Sequence, residues 1–280
     1  MRKIKINMCK SLLITESQFK QIVNEELGIS QEVFQISKDV YDKICSDIKT
    51  RDSEKIDICN IKRGVVKCSL KDVEFDINYT YRNFLDKNLL KHIDKSGLSE
   101  GGTVFLNKKF IICNINLYGI GGSINEEDAM DTIQHEIEHI YQQIMSNKRI
   151  PGDDDRYAKM RTDLESNNEV RKTVGRLVYL CYKSEQDAFI NGTYAWCMTN
   201  DATTEPYSYR NIKNCPAGKL YLEMKDLYEV IFNNAEMEKI ITTEYGLNSE
   251  KVMFSIKDFG RKLGKVLVKV NKDKSKIWRK

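Results

Sequence analysis

Residues 125–145 read NEEDAMDTIQHEIEHIYQQIM, and the spacing inside that stretch decides both the element it forms and the chemistry it can carry. Met130, Ile133, Ile137, Ile140, Tyr141 and Ile144 recur every three or four positions, which gathers them into one stripe of an α-helix. Asn125 stands where a cap is needed, and Glu126, Glu127 and Asp128 fill the first turn, where the helix dipole favours negative charge. His135 and His139 fall almost opposite the stripe, so the helix can pack its core without them. Four residues apart, their imidazoles lie one above the other and can reach a single ion. Glu136 projects about 100° round from His135, where a carboxylate can address water at that ion without ligating it.

The chain has 280 residues and only 3 histidines, the third being His92. At that scarcity roughly 0.002 matches to H-E-x-x-H are expected by chance, which argues against a coincidental pair. Two imidazoles and one carboxylate leave an open position on Zn2+, the arrangement of a catalytic rather than a structural site. A third ligand has to come from elsewhere. Gln142 and Met145 stand where a metzincin would carry its glycine and third histidine, so a carboxylate is the remaining route. Glu185 lies in a helix that Ser184 and Asp187 would open as a capping box, on a face shared with Ala188, Phe189, Gly192 and Trp196. A carboxylate on an apolar stripe is costly unless paired or ligated. A first-turn glutamate favoured by the dipole explains Glu185 without a metal, and Glu165 and Glu169 are rival ligands in a polar stretch.

The rest of the chain supplies context. An apolar share of 41% and a charged share of 31%, with only 3 Pro and 15 Gly, exclude a disordered, collagen-like or turn-rich all-β chain. The formal charge of +4 is too mild and too dispersed to point to nucleic acid, apart from a lysine-rich end, Lys265 to Lys280, read as a solvated, frayed terminus. Eight scattered cysteines without a C-x-x-C pair suit a reducing, cytoplasmic setting. No segment reaches the ~18 apolar residues of a membrane span, and Leu12-Leu13-Ile14 is too short for a signal peptide.

A short amphipathic helix is expected over residues 15–26 and another over 32–50. Half-buried strands follow at Val65–Leu70 and Val73–Tyr79, with a third, most apolar strand through Val104–Leu106 and Phe110–Leu117. Gly119 to Gly122 reads as the turn into the histidine helix, and Pro151-Gly152 as the break after it. One helix is expected over 156–182, then the Glu185 helix to about Met198. A loop follows over 200–217, and two or three helices over 218–271 with Ser249 as a cap.

From about residue 64 to 199 these features resemble the zincin metallopeptidases, and among them the gluzincins: strands, the helix bearing His135-Glu136-x-x-His139, then Glu185-Gln186-Asp187-Ala188. The resemblance implies an α+β fold, with a zincin-like core of a small, mainly antiparallel sheet packed on the H-E-x-x-H helix. Helical N- and C-terminal extensions flank it, giving segments 1–60, 61–200 and 201–280. It implies zinc on His135, His139 and Glu185, Glu136 as general base, and hydrolysis of a peptide or protein lying along the edge of residues 104–117. Thermolysin-like members place an aspartate four residues after the ligand glutamate. Here Phe189 holds that position, and Asp131 is the candidate to orient a histidine in its stead. His92, Tyr179, Tyr182 and Tyr194 are candidate transition-state donors. The stretch Thr15-Glu16-Ser17-Gln18 resembles terminal helices of phage-encoded proteins. The alternative expectation is therefore an inactive zincin-like binding or structural protein, for instance a virion component docked through helix 15–26. A helical interaction protein whose histidines bind nothing is the third.

Overall fold

The computed structural model describes residues 31–50, 54–56, 59–84, 100–107, 110–120, 123–145, 155–200, 207 and 212–277. The expected helix 15–26, His92, Gly121-Gly122 and Pro151-Gly152 lie outside the described residues.

The chain is α+β. Helix α1 (Gln31–Thr50) leads into strands β1 (Glu54–Ile56), β2 (Cys59–Leu70), β3 (Val73–Phe84), β4 (Glu100–Asn107), β5 (Phe110–Ile120) and β6 (Ser123–Ile124). The sheet order is β1-β2-β3-β5-β4, with β6 pairing β5. Among the described strands only β3 and β5 run parallel; the other pairs are antiparallel. Residues 104–117 were expected to form one strand. They belong to two, β4 and β5, paired antiparallel; among the described strands β4 is one edge of the sheet, opposite β1, and β5 is internal. Lys71 and Asp72, both at positive φ (50° and 63°), make the two-residue turn between β2 and β3, where primed turns match the strand twist.

One sheet face is apolar. Phe75, Ile77, Tyr79 and Tyr81 of β3, with Ile111, Cys113, Ile115 and Leu117 of β5, are buried against α1 and against α2 (Glu126–Met145). Tyr79 lies across β2 at Gly64, where an added Cβ would stand 2.5 Å from its hydroxyl. The α2 stripe matches its expected phase: Met130, Ile133, Ile137 and Ile140 are buried. Fully burying each isoleucine contributes on the order of 1.5–3 kcal/mol, which fixes the rotation of the helix and leaves the histidines on its far side. Asn125 Oδ1 accepts from the Asp128 amide at 2.9 Å, making the cap.

The remaining helices form a second core. They are α3 (Asp155–Leu164), α4 (Glu169–Cys181), α5 (Lys183–Thr199), α6 (Pro216–Phe232), α7 (Ala235–Tyr245) and α8 (Ser249–Ile277). Val174, Leu177, Met224, Ile241, Phe259 and Leu263 are central to it. Several expectations need correction. The single helix over 156–182 is two, because Asn168 Oδ1 accepts from the amides of Val170 and Arg171 and starts α4 afresh. The capping box of Ser184 and Asp187 does not form. Helix α5 begins at Lys183 with Tyr182 as its cap, placing Ser184 inside the helix, and Asp187 Oδ1 pairs with Lys262 Nζ at 2.6 Å. Pro216 opens α6 rather than ending a loop, a position where its missing N–H costs nothing. Asn248, not Ser249, caps α8 through the Lys251 amide. The lysine-rich end is helical to Ile277 and partly docked: Lys274 is buried and donates to the Asn200 carbonyl at 2.5 Å. Among the described residues no helix is long and apolar enough to cross a membrane.

Candidate metal centre

The site lies where α2 and α5 pack together. They approach closely because α5 turns Gly192 toward Asp131 of α2; a Cβ there would stand 2.4 Å from Asp131 Oδ1 and 2.8 Å from its carbonyl oxygen. The backbone oxygen cannot rotate away, so any side chain at 192 would push the helices apart. Near the start of α5, Gln142 of α2 donates to the Ser184 carbonyl at 3.2 Å. Between these two contacts Phe189 packs on the His135 ring at 4.7 Å between centroids, and Glu185 faces both histidines.

His135 Nε2 and His139 Nε2 are 3.1 Å apart, and Glu185 Oε2 lies 3.6 Å from the first and 3.4 Å from the second. Tetrahedral ligands at ~2.0–2.1 Å from zinc stand about 3.3–3.4 Å from one another, and a triangle with the observed edges has a point about 2.0 Å from all three atoms. The donors therefore suit an ion in both chemistry and spacing. Among the described residues these three form the group of His, Cys, Asp or Glu whose ligand atoms converge in this way. The imidazoles are 13% and 15% exposed, the carboxylate 5%, so the cluster is sheltered but open on the histidine side. Burial alone would raise the Glu185 carboxyl, yet the bonds and charges of the two histidines hold it well below the usual carboxylate range. The reverse holds at His139, where burial works downward but Glu185 pushes the imidazole up to about 8.

Glu136 is also buried, on the turn between the histidines. Glu165 and Glu169, the rival ligands, are exposed, and Glu165 pairs with Arg161 at 3.8 Å. Asp131 does not orient a histidine: no hydrogen bond or ion pair joins it to His135 or His139. Instead it is pressed against Gly192, and burial, with the neighbouring Asp128 charge and against Lys219, lifts its carboxyl to about 8.

Of the candidate donors, Tyr179 is at the site. Burial, then the charge and hydrogen bond of Glu185, raise its phenol far above the ordinary value, with Glu136 close enough to contribute. Tyr194 is elsewhere, donating to Asp273 at 3.0 Å, and Tyr182 packs edge-to-face on Tyr157 at 5.2 Å. Tyr157 is the residue the sequence reading missed. Its hydroxyl donates to Glu185 Oε1 at 3.2 Å. Nothing in its local pattern marks it, since it lies 28 residues from Glu185 on a short, polar helix.

Comparison with protein-family models, with curated proteins and with solved structures finds no match.

Proposed function

We propose that this chain is a zinc-dependent metallopeptidase of the gluzincin type, with His135, His139 and Glu185 as the metal ligands and Glu136 as general base. The observation that carries the reading is the convergence of three donors of the right chemistry within 3.1–3.6 Å of one another. Glu136 follows His135 in the H-E-x-x-H turn and is near enough to add to the electrostatics of His139 and Tyr179, which supports its role as base.

Zinc, when bound, supplies Lewis acidity at a position the three protein ligands leave open. The chain's own groups do the rest. The Glu136 carboxylate takes a proton from the attacking water as its oxygen bonds to the scissile carbonyl carbon, then delivers that proton to the leaving nitrogen as the C–N bond breaks. Of the two edge strands among the described residues, β4 runs against α2, so an extended peptide can add to it and be oriented by backbone hydrogen bonds beside the site. Tyr179 is the candidate to stabilise the developing oxyanion.

Two measurements test this together. Purified protein should carry about one zinc per chain, and Glu136→Gln should retain that zinc while losing cleavage of a peptide library. Zinc without cleavage in the wild type would favour an inactive binding protein. Failure to take up zinc would remove both readings.

A further inference from the structure

The two oxygens of Glu185 face different neighbours. Oε2 is turned to the imidazole pair, 3.4 and 3.6 Å away, while Oε1 accepts the Tyr157 hydroxyl at 3.2 Å. The difference matters because a carboxylate can ligate through one oxygen or both, and a second oxygen on the ion would fill the position that an active zinc must leave open.

We propose that Tyr157 is a positioning residue that holds Glu185 Oε1 away from the ion, so that the carboxylate ligates through Oε2 alone and a ligand position stays free. The inference rests on the metal-centre reading above and adds to it a device that limits Glu185 to one bond.

The scaffold around Tyr157 fits that role, since a positioning donor is only as rigid as its support. Helix α3 is anchored through residues other than Tyr157. Met160 is fully buried, and Asp163 accepts from Tyr245 Oη of α7 at 2.5 Å and from Arg171 of α4 at 3.3 Å. Lys159 adds a 2.6 Å pair with Glu244 of α7. The tyrosine ring then packs edge-to-face on Tyr182, the residue that caps α5 immediately before the ligand helix begins. Tyr157 thus reads the position of α5 at both its ring and its hydroxyl, and the hydroxyl meets Oε1.

The test uses the full chain, stripped of metal with a chelator and checked for folding by its melting curve. Tyr157→Phe keeps the ring and removes only the hydroxyl; Tyr157→Met, filling the space with a flexible apolar chain, removes the donor independently. Zinc affinity is measured by competition with a chromophoric chelator. Cobalt(II) serves as a second probe, because its visible absorption weakens when coordination rises from four to five. The expected result is zinc binding about 10–100-fold weaker in both variants, with a weaker cobalt spectrum than the wild type. Unchanged affinity and an unchanged cobalt spectrum in either folded variant would overturn the inference and leave the metal centre standing. A wild-type chain that takes up no zinc would overturn both.

Discussion

The two helices that build the site differ in how they are held. Helix α2 belongs to the sheet core and is amphipathic: one apolar stripe faces β3, β5 and α1, and the histidines lie on the polar side, which packs on α5 with Gln134, Glu136 and Glu138 also buried. Helix α5 is buried nearly all round, with Glu185, Gln186, Ala188, Ile190, Asn191, Thr193, Tyr194, Ala195 and Cys197 all shielded. It packs on α2 through Gly192 and contributes Ile190, Tyr194 and Cys197 to the helical core. An element with one apolar stripe declares its functional side by elimination. An element buried on every side does not, and only its neighbours reveal which residues face the ligand.

That contrast can be broken from either core. Ile137 lies between the histidines on the buried stripe of α2, and Ile137→Ala should cost about 2–5 kcal/mol in chemical denaturation while also weakening zinc binding. Leu263→Ala, deep in the helical core on α8, should cost a similar 2–5 kcal/mol but leave zinc affinity of the folded protein in place. Equal zinc affinities in the two variants would show that α2 does not set the histidine geometry.

The seam between the helices is the next lever. Gly192→Ala should destabilise by about 1–3 kcal/mol, since the added methyl meets a backbone oxygen. It should also reduce zinc affinity by moving Glu185 from the histidines. A melting temperature unchanged from the wild type would show that the close approach is not required.

The smallest effect is a pH dependence at the same seam. Asp131 has its carboxyl raised to about 8 by burial and by Asp128, so the folded chain holds a proton there that the unfolded chain releases near pH 4. Its contribution to stability therefore falls as pH rises from about 4 to about 8. Asp131→Asn should melt higher than the wild type at pH 8, with the gap closing toward pH 4. A gap independent of pH would contradict the assignment.

The same contrast explains what could be read from the sequence. His135, Glu136 and His139 were legible because α2 carries a 3.6-residue stripe and its histidines lie outside it. Glu185 was reached by a weaker route, as a carboxylate among apolar neighbours, and the structure brings it to the histidines. Asp131 was misassigned because its helical phase is close to that of His135, yet its actual neighbour is a glycine on another helix. Tyr157 could not be found, because its bond to Glu185 depends on how α3 docks, and α3 is held by long-range partners such as Tyr245 and Glu244. In the same way β4 and β5 were fused because both are apolar and adjacent, and only their pairing separates an edge strand from an internal one.

The central claim is that α2 and α5 jointly hold one ion. X-ray absorption at the zinc edge of the zinc-loaded chain tests it most directly. The account predicts nitrogen and oxygen neighbours at about 2.0–2.1 Å with the scattering signature of two imidazoles, lost in His139→Ala. A spectrum dominated by sulfur at about 2.3 Å, or one with no imidazole contribution, would contradict it.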